Sequence, residues 1–160
     1  MNQSNLSKCL KGVVLGTAAI GALVYGYILP VCWRMGTAQH TTLGGQTYWI
    51  RMIFLWITAV PCYLALIDAW KLFTEIGKNN SFSYDNAKYL KNIARLAFLD
   101  TAYYFAGNLA LFLLGRNHPA VLLASLLIDF VGIAVGVLSA ALSHLVYKAA
   151  ALREENELTI

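Results

Sequence analysis

Four apolar stretches dominate the chain: Leu10–Trp33, Trp49–Leu72, Ile93–Gly115 and Ala120–Tyr147. Each runs to about 20 residues or more, enough at 1.5 Å rise to cross the hydrocarbon of a bilayer as a helix. In lipid the backbone must satisfy its own hydrogen bonds, and a helix does so within one segment. The pattern therefore predicts an all-α polytopic membrane protein, a bundle of four transmembrane helices forming one domain over residues 1–160. Residues 73–92 are left as a connecting loop and 148–160 as a tail.

The turns between runs constrain how they pair. Arg116-Asn117-His118-Pro119 is so short that the third and fourth spans must form an antiparallel hairpin. Arg34–Tyr48, with Gly36, Gly44 and Gly45, reads as a longer polar loop, and Trp33, Tyr48 and Trp49 mark its boundary with the membrane as aromatic belts do. In the other connection, Gly77 and Asn79-Asn80 end the second helix, while Ser83 is placed to cap the third and Asp85 falls in its first turn. Phe82 can staple onto Ala87. Pro61 removes one backbone hydrogen bond inside the second span and predicts a kink.

Composition agrees with this class: 59% of residues are hydrophobic and only 12% charged, about half the soluble norm. The net charge of +4 is spread over membrane edges and is no footprint for direct nucleic-acid binding. Lys8, Lys11, Lys71, Lys78, Lys88, Lys91, Arg95, Lys148 and Arg153 fall on the side of both termini; Arg34, Arg51 and Arg116 fall on the other. By the positive-inside rule both termini are expected in the cytoplasm of a bacterial cell, with the chain multi-pass in the plasma membrane. The apolar run after Lys8 and Lys11 exceeds a cleavable signal core and reads as an uncleaved anchor. Three cysteines at three depths, Cys9, Cys32 and Cys62, are expected as free thiols, Cys62 as a small packing residue.

Within the fourth span, Ser125, Asp129, Gly132, Gly136, Ser139 and Ser143 recur at steps of four and three, which places all six on one helix face. Small residues at that spacing let a neighbouring backbone come close, so the face predicts a packing seam. Gly12/Gly16 and Ala18/Ala22/Gly26 form similar rows in the first span. Asp129 is the polar anomaly in the seam, because a carboxyl at mid-bilayer costs about 2.5–3.5 kcal/mol on insertion scales and has to face protein or water. Equal depth in the hairpin brings Asn108 level with Asp129 and predicts a hydrogen bond between them. The alternative partner is Ser125, with Asp129 purely structural. Asp100, level with Gly136, continues through Tyr104 to Asn108 along the third span, several residues from Asp129 in depth and so not paired with it. Asp100, Tyr104, Asn108 and Asp129 form the candidate polar site for a ligand or ion. Asp68 is expected at the interface, pairing with Lys71 or Lys91.

Outside the membrane, Lys88, Lys91 and Arg95 share one face, suited to anionic headgroups or a partner. Glu154, Glu155 and Glu157 lead into Leu158 and Ile160, which alternate with Thr159 and suit strand addition to a partner. His40, His118 and His144 are scattered, and no pair has the spacing of metal ligands on a helix face. With no nucleophile–base arrangement at one depth, neither an enzyme nor a bound cofactor is expected.

Phe82-Ser83-Tyr84-Asp85-Asn86-Ala87-Lys88-Tyr89-Leu90-Lys91-Asn92-Ile93 resembles the motif opening the third span in a bacterial family of four-span proteins of unknown function, and Glu154-Glu155-Asn156-Glu157-Leu158-Thr159-Ile160 resembles that family's closing motif. Members of that family often accompany small Xre/Cro-type helix-turn-helix regulators. The resemblance implies association rather than chemistry: a regulatory membrane protein whose inner loop and tail engage such a regulator. The alternatives are a small transporter or toxin-immunity protein using the polar intramembrane site, and an oligomeric packing protein that self-associates through its small-residue rows.

Overall fold

The computed structural model describes residues 3–32, 44–78 and 80–158. Trp33, Arg34, Gly36, His40 and Ile160 lie outside the described residues, as do the side chains of Tyr48, Glu157 and Leu158. Four long helices account for nearly all of what is described. They are α1 (Gln3–Leu23), extended through a π-helical turn at Val24–Ile28, α2 (Gly44–Gly77), α3 (Tyr84–Leu113) and α4 (Pro119–Leu158). All four are long and apolar enough to cross a membrane. Their outward faces carry bare Leu113, Phe130 and Leu127, each more than two-thirds exposed, a surface compatible with lipid and not with water.

Every helix extends past its apolar stretch at one end or both. Gly44–Tyr48, expected as loop, opens α2, and most of residues 73–92 is helical, leaving a connection of only 78–83. At 40 residues α4 reaches about 60 Å, far beyond the hydrocarbon. Ala149–Ala151, Leu152 and Arg153 are strong helix formers and need no lipid to stay helical. The tail is therefore helix through Leu158, while Thr159 and Ile160, where the strand was expected to run, lie outside the described residues. Pro61 sits within a continuous α2.

Both connections are closed by short-range chemistry. At the α3–α4 turn, Arg116 N–H reaches Leu111 O at 2.9 Å and Gly115 N–H reaches Phe112 O at 2.9 Å, with Gly115 at φ 67°. This is a Schellman closure, and it requires the left-handed conformation that glycine tolerates. His118 then caps α4: its Nδ1 accepts from Ala120 N–H at 3.2 Å, with Pro119 as the first helical residue. In the other connection Ser83 caps α3 by accepting from Asn86 N–H at 3.2 Å, as its position predicts. Asn86 is fully buried and donates to Asn80 O at 2.7 Å and Ser81 O at 3.0 Å, pinning the loop. Lys78 donates to Glu75 at 2.8 Å, which raises the Lys78 ammonium above its ordinary range. Asp68 pairs with Lys71 at 3.7 Å.

The helices pack in chain order, α1 on α2, α2 on α3 and α3 on α4, the last pair most extensively. Among the described residues α1 and α4 do not pack on each other. The α3–α4 interface is the small-residue seam. Ser125, Asp129, Gly136, Ser139 and Ser143 are buried, and Gly132 is partly so. A Cβ on Gly132 would collide with Thr101 Oγ1, and one on Gly136 would meet Phe98 at 2.9 Å. Between α2 and α3, the Phe54 ring lies over Gly107 and stacks on Tyr104 with centroids 5.9 Å apart. The rows of α1 behave differently: Gly12, Gly16 and Gly26 face nothing within 4 Å. It is Gly21, outside both rows, that receives Tyr63, whose hydroxyl donates to Ala18 O at 3.0 Å.

The start of α1, the end of α2, the start of α3 and the end of α4 meet at one end of the molecule. Ser7 donates to Phe73 O at 2.6 Å, Lys11 lies 5.2 Å from the Trp70 ring centre, and Lys71 lies 5.9 Å from that of Tyr89. Tyr84 donates to Glu154 at 2.9 Å and meets Tyr147 edge-on. Ser143 donates to Ala87 O at 2.7 Å.

Candidate functional site

The four helices enclose one side of a cavity of about 600 Å³, to which each contributes. From α3 and α4 come Asp100, Tyr104 and Asp129, three of the four residues expected to form a polar site. They enter through different geometry. Asp100 and Tyr104 lie one turn apart on α3 and share its inner face. Asp129 projects from the seam face of α4, one turn before Gly132. Because Gly132 admits the Thr101 side chain without a Cβ, α4 comes close enough to bring Asp129 to the cavity wall.

Asn108, the fourth candidate, does not join them. Its amide donates to Tyr104 O at 2.9 Å, and its Oδ1 accepts from Asn117 at 3.3 Å, so it ties α3 to the turn. The expected Asn108–Asp129 hydrogen bond is absent, as is the alternative to Ser125, whose hydroxyl bonds Leu122 O at 2.7 Å. Equal height in a hairpin fixes how far along the axis two residues lie, but not how each helix is rotated.

Asp129 is only 6% exposed, and neither of its carboxyl oxygens has a hydrogen-bond partner. Asp100 has one oxygen without a partner; the other accepts from the Cys62 thiol at 3.5 Å. Asp100 and Asp129 share the cavity with no hydrogen bond between them. Cys62 is thus not a packing residue. It is exposed, and its thiol faces the cavity from α2.

Sequence reasoning missed the α1 wall. At Val24–Ile28 the helix widens to a π turn, and Leu29 N–H bonds Val24 O. Such turns interrupt the regular ladder and recur at functional sites. Here the Tyr25 carbonyl accepts from Trp56 Nε1 at 3.3 Å, and its phenol meets Thr58 Oγ1 at 3.2 Å across the cavity rim. Thr17, Thr58, Thr101, Cys62 and Tyr25 add polar atoms to walls otherwise built mostly of Leu, Ile, Ala and Val.

At the other candidate surface, Lys88, Lys91 and Arg95 are all exposed along α3, with Lys88 bonded to Asp85 at 3.2 Å. Glu154 is engaged by Tyr84, and Glu155 is exposed beside it. Among the described residues no group of three or more metal-type ligands occurs.

Four apolar helices with a polar pocket between them define an integral membrane protein of the multi-pass class. The chain belongs to the DUF2975 family, described as a protein family of unknown function, whose sequence pattern matches residues 35–160. That match takes in α2, α3 and α4, and with them Cys62, Asp100 and Asp129, while the α1 wall precedes it. The chain is similar to the uncharacterized membrane protein YoaS of Bacillus subtilis (strain 168), 33% identical over 114 residues, which cover 70% of this chain and 71% of that one. No solved structure matches.

Proposed function

We propose that this chain is a regulatory protein of the bacterial plasma membrane, with both termini inside, that senses a ligand in its intramembrane cavity. It would pass the signal to a cytoplasmic helix-turn-helix regulator held by the inner loop and tail. The observation that carries the reading is Asp129: a residue 6% exposed, in a membrane span and in the wall of a cavity, with both carboxyl oxygens buried and unpartnered. An acid kept at that cost without a structural hydrogen bond fits a binding role. What supports the coupling is continuity. The helices that carry Asp100 and Asp129 run without a break to Lys88–Arg95 and to Arg153–Glu155, and Tyr84 clasps Glu154 between them. A ligand that favours one packing of α3 on α4 shifts that end by its difference in affinity for the two packings. The orientation rests on the excess of Lys and Arg at the end where the termini gather.

The test is co-purification. The full chain, tagged at its N-terminus, should enrich a small helix-turn-helix protein from its own host. Removal of residues 154–160 or charge reversal at Lys88, Lys91 and Arg95 should abolish the enrichment. Enrichment that survives the deletion takes the tail out of the reading, and none with the full chain ends the regulator reading.

A transporter or toxin-immunity role draws on a separate observation. Tyr104, Asn108 and Asn117 continue the polar groups from the cavity toward the α3–α4 turn. Self-association draws on the uncovered Gly12, Gly16 and Gly26.

A further inference from the structure

We infer that the cavity takes an amphipathic organic cation, its charged centre against Asp129 and Asp100 and its apolar body along α1 and α2. This rests on the ligand-binding reading above and adds the charge and chemical class of the ligand.

Charge comes first. Asp129 and Asp100 together present three carboxyl oxygens without a hydrogen-bond partner, and Asp129 is more than nine-tenths buried. A buried polar group that has lost its water and found no donor is costly, and a charged one far more so. Among the described residues no Lys, Arg or His lines the cavity, so none of them supplies a counter-charge there. An anionic ligand would meet two acids with nothing to offset them. A cation replaces the missing donors, and Tyr25 and Tyr104 in the wall are of the type that adds cation–π attraction.

Size and lining then choose among cations. About 600 Å³ lies within the range of pockets for drug-sized molecules and far exceeds what a bare metal ion fills. Hard metal ions collect six or more oxygen ligands, whereas most of this wall is hydrocarbon, with Leu55, Leu66, Leu96 and Ile128 among its residues. Access agrees with the same class: among the described residues α1 and α4 both line the cavity without packing on each other, and that side is the route by which a ligand in the acyl chains would enter.

The experiment uses the full chain in lipid nanodiscs with tritiated tetraphenylphosphonium as probe and tetraphenylborate, the anion of the same shape, as control. Empty nanodiscs correct for partition. The cation should saturate at one per chain, and Asp129→Asn should weaken it about tenfold or more, the size of one lost contact worth about 1.4 kcal/mol. Asp129→Glu should largely restore it. In a Cys9→Ser/Cys32→Ser background the same cation should slow alkylation of Cys62 by N-ethylmaleimide, a readout that needs no change to the acids. Saturable binding of tetraphenylborate, or wild-type cation affinity in Asp100→Asn/Asp129→Asn, overturns the cation assignment and leaves the cavity standing as a ligand site. If neither ion binds and neither protects Cys62, both the assignment and the ligand-binding reading fall. Should Asp129→Asn aggregate, Asp100→Asn binding and Cys62 protection decide.

Discussion

The α3–α4 seam and the cavity beside it are made from the same kinds of residue and treat polar groups in opposite ways. Along the seam, Ser125 and Ser143 each find a carbonyl at 2.7 Å, and glycines draw the backbones together. At the cavity, one turn from Ser125, Asp129 finds no partner at all. Membrane helices gain little from the hydrophobic effect between themselves, so close packing and interhelical hydrogen bonds hold them. The seam has both. The cavity interrupts them, and it does so at the most expensive side chain in the span. The difference separates polar residues that hold the fold from those the fold merely carries.

The sharpest way to break the seam is Gly132→Leu. Its Cβ would occupy the space of Thr101 Oγ1, so overpacking should cost about 1–3 kcal/mol and lower the midpoint of thermal unfolding in detergent. Ser143→Ala removes one bond between helices and should cost only about 0.6 kcal/mol by the same assay, the average for such bonds in membrane proteins. Asp129→Leu should cost nothing and can raise the midpoint, because no hydrogen bond is lost and an intramembrane acid is removed. If Asp129→Leu unfolds as readily as Gly132→Leu, the carboxyl belongs to the seam after all and the contrast fails.

The seam was legible before the structure, and the cavity only in part. Lipid imposes long uniform apolar runs, so the number of spans is written plainly. A 3.6-residue period then picks out Ser125 through Ser143 on one face. The start of α2 was less legible, since hydropathy falls at the bilayer edge while Gly44–Tyr48, polar and glycine-bearing, is already helical. The cavity needed information no single helix contains. Asn108 and Asp129 were matched in height, but rotation turns Asn108 toward Asn117. Cys62 looked like packing because its depth was visible and its direction was not. Tyr25 was hidden by the π turn, which re-aims it by an amount that periodicity in a regular helix does not anticipate.

The lack of packing between α1 and α4 among the described residues has a thermodynamic corollary. A compound that reaches Asp129 sideways through the acyl chains is drawn from the concentration in the membrane, not from that in water. Its potency, stated per mole in buffer, then scales with its oil–water partition coefficient as well as with its fit. Two molecules that dock equally well differ in effect by the ratio in which the bilayer has already collected them.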